Sequence, residues 1–156
     1  MDTQPNIDHL SKSPHRPAFG RTPSLDLFNF IFIAMASLYL KASVLWFVLA
    51  VCIGLYMGAA QDFRLVHVHV HLNLLGWASL ALVGLTWASF PKLSSWRLGM
   101  IQFVMHNLGL AVFMAGISVA QLTGEKPMPA IAGGSVTVGI AVLVFAFQVL
   151  SHRFQR

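Results

Sequence analysis

Apolar residues gather in four stretches along this chain, each near the roughly 20 residues that an α-helix needs to cross a bilayer core. The first covers 42–60 (ASVLWFVLAVCIGLYMGAA) and gives way to Gln61, Asp62 and Arg64. The second covers 66–90 and stops at Pro91, whose ring cannot continue a helix ladder. Ser94 or Ser95 can cap the third, over 96–122, and TGEKPMP breaks the chain before the fourth, over 130–150. Backbone groups in lipid have no water to bond, so these spans are predicted to be helices. They lack the alternating pattern of a membrane barrel strand. Short connections make sequential helices antiparallel neighbours. The expected fold is an all-α membrane protein, with four transmembrane helices in an up-down bundle or arc over a domain of residues 42–156.

Ahead of the first span lies another apolar run, LFNFIFIAMASLYL, ending at Lys41 with no turn between the two. Residues 27–41 are expected to form an interfacial segment, with Lys41 reaching the headgroups, or to extend the first helix; the interfacial placement is preferred. Residues 1–26 are polar and proline-bearing and read as a mobile tail without the apolar core of a signal peptide. Composition agrees with the membrane reading, since 56% hydrophobic and 10% charged residues lie outside the mixture of a soluble domain.

Charge sets the expected orientation. Lys12, Arg16, Arg21, Lys41, Lys92, Arg97, Arg153 and Arg156 fall on one side of this topology, and only Arg64 and Lys126 on the other. The positive-inside rule then makes both termini cytoplasmic, as in a multi-pass protein of a bacterial inner membrane. Loops and tails account for the net charge of +5, so no nucleic-acid partner is expected. The single cysteine, Cys52, cannot form an internal disulfide and reads as a small packing residue.

Histidine carries the candidate chemistry. His9 and His15 lie in the tail and His152 at the end of the last helix, where solvated or headgroup-facing roles suffice. His67, His69, His71 and His106 lie within or at the edge of the bilayer, where an unsatisfied ionisable group is costly. At about 100° per residue, His67 and His71 share one side of the second helix and His69 points almost opposite. Asn73, Gly76 and Gly84 continue the His69 side as a polar and small-residue stripe, and Leu75, Ala78 and Leu82 continue the other. On the third helix Gln102, His106, Gly109, Phe113 and Gly116 recur at spacings of three and four, the pattern of a buried contact face.

Two readings of these imidazoles stand side by side. They hydrogen-bond between helices, a role that fits His67 best, or at least two of them are ligands. Neutral imidazole suits zinc, copper and haem iron. The large apolar and aromatic surroundings favour haem, which needs such walls. At about 1.5 Å per residue, His71 lies nearer the outer surface than His106 by about 8 Å. The two therefore share one iron only with tilt, or else ligands come from different copies. Arg64 fits an exposed ion pair with Asp62 or contact with haem propionates. Trp77 fits core packing or a porphyrin wall.

The residues HVHLNLLGW (His69 to Trp77) and MHNLGL (Met105 to Leu110) resemble the His-x-His helix, and the helix after it, of the heme-copper oxidase catalytic subunit, in particular the nitric oxide reductase and cbb3-type branches. The resemblance covers roughly residues 40 to 120. It implies that His69 faces a high-spin haem and His71 a low-spin haem, with His106 and Asn107 in the place of copper ligands. That family's subunit has twelve helices in three arcs of four, and this chain holds one arc's worth. It also lacks the family's paired His-His, so a complete oxygen-reducing centre within one protomer is not expected. Three copies would restore the ring, and the resemblance thus implies a C3 homotrimer with haem b at the subunit contacts.

Three functions follow as expectations. The first is a haem b protein of electron transfer, or of oxygen or nitric oxide binding or reduction, working with a redox donor or respiratory subunit. The second is a copper or zinc protein of transport or sensing, with Met57, Met105 and Met114 as soft donors for copper. The third is a helical partner subunit whose histidines are structural. No proton pathway is evident from Lys41, Tyr39, Tyr56 or the few acids, so catalysis stays open.

Overall fold

The computed structural model describes residues 23–90, 93 and 95–152, with side chains from Phe30 onward. All regular structure among them is helical: α1 is Pro23–Ala60, α2 is Val66–Ser89, α3 is Trp96–Thr123 and α4 is Met128–Ser151. Each is long and apolar enough to cross a membrane, which marks a multi-pass membrane protein.

The helix ends follow local chemistry. Ser95 caps α3, its hydroxyl oxygen accepting the N–H of Leu98 at 3.3 Å. Gly124 ends the same helix in the left-handed region at φ 80°, which a residue with a Cβ enters only under strain. Pro127 precedes α4 and Pro129 occupies its first turn, where the missing N–H is no loss.

The segment over 27–41 is not a separate interfacial piece. It belongs to one unbroken α1, and residues 23–26, expected in the tail, begin that helix. Residues 1–22 lie outside the described part. The reason is packing: Phe32, Met35, Ala36 and Tyr39 are buried against Leu80, Val83 and Trp87 of α2. Phe32 stacks on Trp87 with ring centroids 5.5 Å apart. The 31 residues from Phe30 to Ala60 span about 46 Å at 1.5 Å each. That exceeds a core of about 30 Å, so α1 tilts or projects.

Glycines set the helix contacts. Along α1 and α2, Gly54 lies against His69, Gly76 against Trp46, and Gly84 against Ala36 and Tyr39, an antiparallel pairing. Along α3 and α4, Gly109 meets Thr137 and Val138, and Gly116 meets Ile131, again antiparallel. Without a hydrophobic force between helices in lipid, such close approach is what holds them. α1, α2 and α3 pack on one another, whereas α4 packs along α3 and reaches the rest through side chains such as Phe145 and Val149. The four helices run up and down, so the start of α1 and the end of α4 share one face of the membrane with the α2–α3 connection.

The middle of α2, Leu72–Ala78, is π-helical. At its end the Ser79 N–H bonds the Leu74 carbonyl, five residues back. The Leu75 carbonyl, which α-helical register assigns to Ser79, is thereby released for another donor.

Candidate functional site

His69 sits on the face of α2 that meets α1, as the wheel predicts. Its Nδ1 lies 2.8 Å from the Ala50 carbonyl oxygen. A carbonyl only accepts, so Nδ1 carries the proton and Nε2 keeps the lone pair. The ring lies flush on α1: a Cβ on Gly54 would stand 2.8 Å from the His69 Cε1. Asn73, one turn along, donates from Nδ2 to the His69 carbonyl at 2.9 Å and approaches the ring Nε2 at 3.4 Å. Both ring nitrogens thus have neighbours inside the α1–α2 contact.

His71 points the other way, edge-on to Phe113 of α3 with centroids 5.5 Å apart. Its Nδ1 donates to the His67 carbonyl one turn back at 2.8 Å. That bond fixes the tautomer and leaves Nε2 with its lone pair on a half-buried ring, the protonation pattern in which ligating imidazoles are held. His67 itself is exposed and contributes its carbonyl.

His106 is 1% exposed. Its Nε2 donates to the Leu75 carbonyl at 2.9 Å, the carbonyl that the π-helical turn releases. Leu75 is four residues beyond His71, about 6 Å deeper along α2. The His106 Nδ1 is buried with no protein partner. His106 lines a cleft of about 140 Å³ with Ser79, Leu82, Val83, Gln102, Val142 and Phe145. Pockets for cofactor-sized ligands begin at about 300 Å³, so no porphyrin fits there.

The three imidazoles therefore have separate partners on α1, α3 and α2, and among the described residues no three His, Cys, Asp or Glu side chains converge on one point. Gln102, His106, Gly109 and Gly116 are buried as the α3 stripe predicts, with Phe113 half-buried. The stripe serves two contacts: Gln102 and His106 turn toward α1 and α2, and Gly109 and Gly116 toward α4. Trp77 is 42% exposed and tilts on Phe47 at 4.5 Å on the outside of the bundle, so it is not core. Cys52 is exposed as well, rather than packed.

At the α1–α2 connection Arg64 takes the ion-pair role. Its guanidinium holds both Asp62 carboxylate oxygens at 2.6–3.0 Å, and its Nη1 reaches the Leu122 carbonyl at the end of α3 at 3.4 Å. Hydrogen bonds from the Arg64 side chain and backbone hold the Asp62 carboxyl below its ordinary range.

Two polar links escaped the sequence reading. Tyr39, wholly buried, donates to the Gly99 carbonyl at 2.8 Å and lies against the Gln102 amide oxygen. The Trp46 indole donates to Asn107 Oδ1 at 2.8 Å and so joins α1 to α3. Gln102 at helical spacing signalled the first; nothing in the local pattern of α1 singled out Tyr39 as the partner of Gln102 or Trp46 as the partner of Asn107. Fold and site together define a four-span helical membrane protein with imidazoles between and beside its helices. Comparison with known proteins adds no relative: no family model, curated protein or solved structure matches the chain.

Proposed function

We propose that this is a haem b-binding membrane protein in which His71 would hold the iron, acting in electron transfer or in binding or reduction of oxygen or nitric oxide. The observation that carries the reading is the Nδ1–H of His71 on the His67 carbonyl, which presents a bare, half-buried Nε2 beside Phe113. When bound, a haem there supplies a one-electron couple and, at an open coordination position, a site for a diatomic gas. Phe113 and the exposed apolar side chains of α2 offer the greasy walls that a porphyrin needs. His69, seated on Gly54 and bonded to Ala50, is the brace that fixes the rotation of α2 and hence the direction of His71.

Among the described residues no group of three His, Cys, Asp or Glu side chains gathers around the half-buried His71, and the proposal extends to a C3 homotrimer in an inner membrane with both termini cytoplasmic, each copy bringing its own His71 to a subunit contact. The resemblance of HVHLNLLGW to the heme-copper oxidase helix supports this arrangement, as does the count of four helices in each copy. Mass measurement in mild detergent tests it, and a monomer or dimer overturns it.

The first experiment is a visible spectrum, oxidised and dithionite-reduced, of detergent-purified protein and of His71→Ala, His69→Ala and His106→Ala. The expected result is a Soret band that shifts on reduction, vanishes in His71→Ala and persists in His106→Ala. Colourless protein from haem-replete cells overturns the reading. A second reading draws on His69 and His106, whose rings both bond carbonyls of a neighbouring helix: a partner subunit whose imidazoles only brace the bundle. Colourless wild type with weakened His69→Ala and His106→Ala variants selects it.

A further inference from the structure

Buried polar atoms without partners concentrate in one part of the molecule. Trp87 Nε1, Gln102 Nε2, His106 Nδ1 and both amide atoms of Gln148 are buried with no hydrogen-bond partner in the protein. They belong to α2, α3 and α4. The antiparallel contacts of α3 and α4 place Gln148 level with Gly99, which lies against the Trp87 ring. From Gly99 to His106 is seven residues, about 10 Å along α3. A native interior leaves few such atoms unpaired, because each one costs a lost hydrogen bond.

Two of them share the 140 Å³ cleft. Gln102 and His106, each 1% exposed, line it together with Ser79. Their chemistry is complementary. His106 gives its Nε2 proton to Leu75, so its Nδ1 is a pure acceptor. Gln102 meets Tyr39 with one end of its amide and has the other end free of protein contacts. The Ser79 hydroxyl donates to Leu74 and keeps acceptor capacity. A ligand that answers all three must be small and must both donate and accept. Water does so, and at about 30 Å³ per molecule the cleft has room for about four.

We propose that this cleft is an internal hydration site, in which water donates to His106 Nδ1 and bridges it to the Gln102 amide at membrane depth. The site stands apart from His71 and does not depend on haem. Tyr39, Gln102, water, His106 and the Leu75 carbonyl then form one hydrogen-bonded chain linking α1, α3 and α2. The released carbonyl of the π-helical turn terminates it.

Water-edited solid-state NMR of protein labelled with ¹⁵N in histidine and glutamine, reconstituted in lipid, tests the proposal. Besides the exposed side chains such as His67 and Gln61, the expected spectrum shows water transfer to one buried histidine ring and one buried glutamine amide, assigned by loss in His106→Ala and Gln102→Leu, with His106 protonated at Nε2 and bare at Nδ1. Val142→Phe fills the cleft from the lipid side, where Val142 is exposed. It is expected to abolish that transfer while the Nε2 bond to Leu75 persists. A wild-type spectrum in which neither His106 nor Gln102 receives water overturns the proposal. So does transfer that survives in Val142→Phe.

Discussion

Replacing Gly134 by alanine adds one methyl group where α4 lies directly against the backbone of α3. A Cβ there would stand 2.5 Å from the Phe113 nitrogen, 2.7 Å from its Cα and 2.8 Å from the Gly109 carbonyl oxygen. All three are backbone atoms, so no side chain can rotate away. Ordinary contact begins at 3.4 Å, and the helices must part by about 0.9 Å at this point. A gap of 0.5–1 Å removes roughly a quarter to a half of each van der Waals well, and the neighbouring contacts at Gly109 and Gly116 share that loss. Overpacking of this kind costs about 1–3 kcal/mol. Next to it, Gly133 has nothing within 4 Å of its added Cβ. There the better helix propensity of alanine, about 1 kcal/mol, stands unopposed. Adjacent Gly→Ala changes should thus differ in sign. Unfolding by SDS titration in mixed micelles is expected to show Gly134→Ala less stable than wild type by about 1 kcal/mol, the overpacking cost less the same propensity gain, with Gly133→Ala equal or more stable. Equal stability of the two variants would refute the idea that backbone contact holds α4.

Other interactions give separate predictions. Gly54→Ala brings a methyl to 2.8 Å from the His69 ring, and is expected to lose the Nδ1 bond to Ala50, seen as a shifted His69 ring ¹⁵N resonance; an unchanged resonance contradicts the seating. Tyr39→Phe leaves the Gly99 carbonyl and Gln102 without their phenol and is expected to cost about 1–3 kcal/mol by the same SDS titration; a loss under 0.5 kcal/mol would show the link to be idle. The Asp62 carboxyl is held below its ordinary value, so its pairing with Arg64 contributes fully above about pH 4 and is lost as pH falls through the depressed value. The Arg64 side-chain Nε–H resonance is expected to titrate with a midpoint below about 3.9 and to be insensitive to that range in Asp62→Asn; a midpoint at or above 3.9 contradicts it.

Much of the frame was legible because lipid leaves a chain few choices. Span length, the Pro91 stop, the TGEKPMP break and the small-residue stripe of Gly76 and Gly84 each act through rules local to one helix, and α2, α3 and α4 begin and end within two residues of the reading. The continuity of α1 was not legible. Whether 27–41 lies in the interface depends on Phe32 and Tyr39 finding Trp87, some fifty residues away. The opposed directions of His69 and His71 follow from the wheel. Their partners do not, since Ala50 and Phe113 enter only through tertiary packing. His106 was read as a buried contact residue, correctly, but its acceptor is a carbonyl made available by a backbone irregularity that no side-chain pattern announces.

The wide turn over Leu72–Ala78 makes α2 two helices out of phase on a common axis. His69 and Asn73 obey one angular setting, and Leu80, Val83 and Trp87 another. The same residues wound as regular α-helix would carry everything beyond the turn further round by about 100°, one residue's worth of rotation, taking Trp87 off Phe32 while His69 stayed on Gly54. The turn thus acts as a vernier, letting one straight rod meet the imidazole contacts at one end of α1 and the aromatic lock at the other.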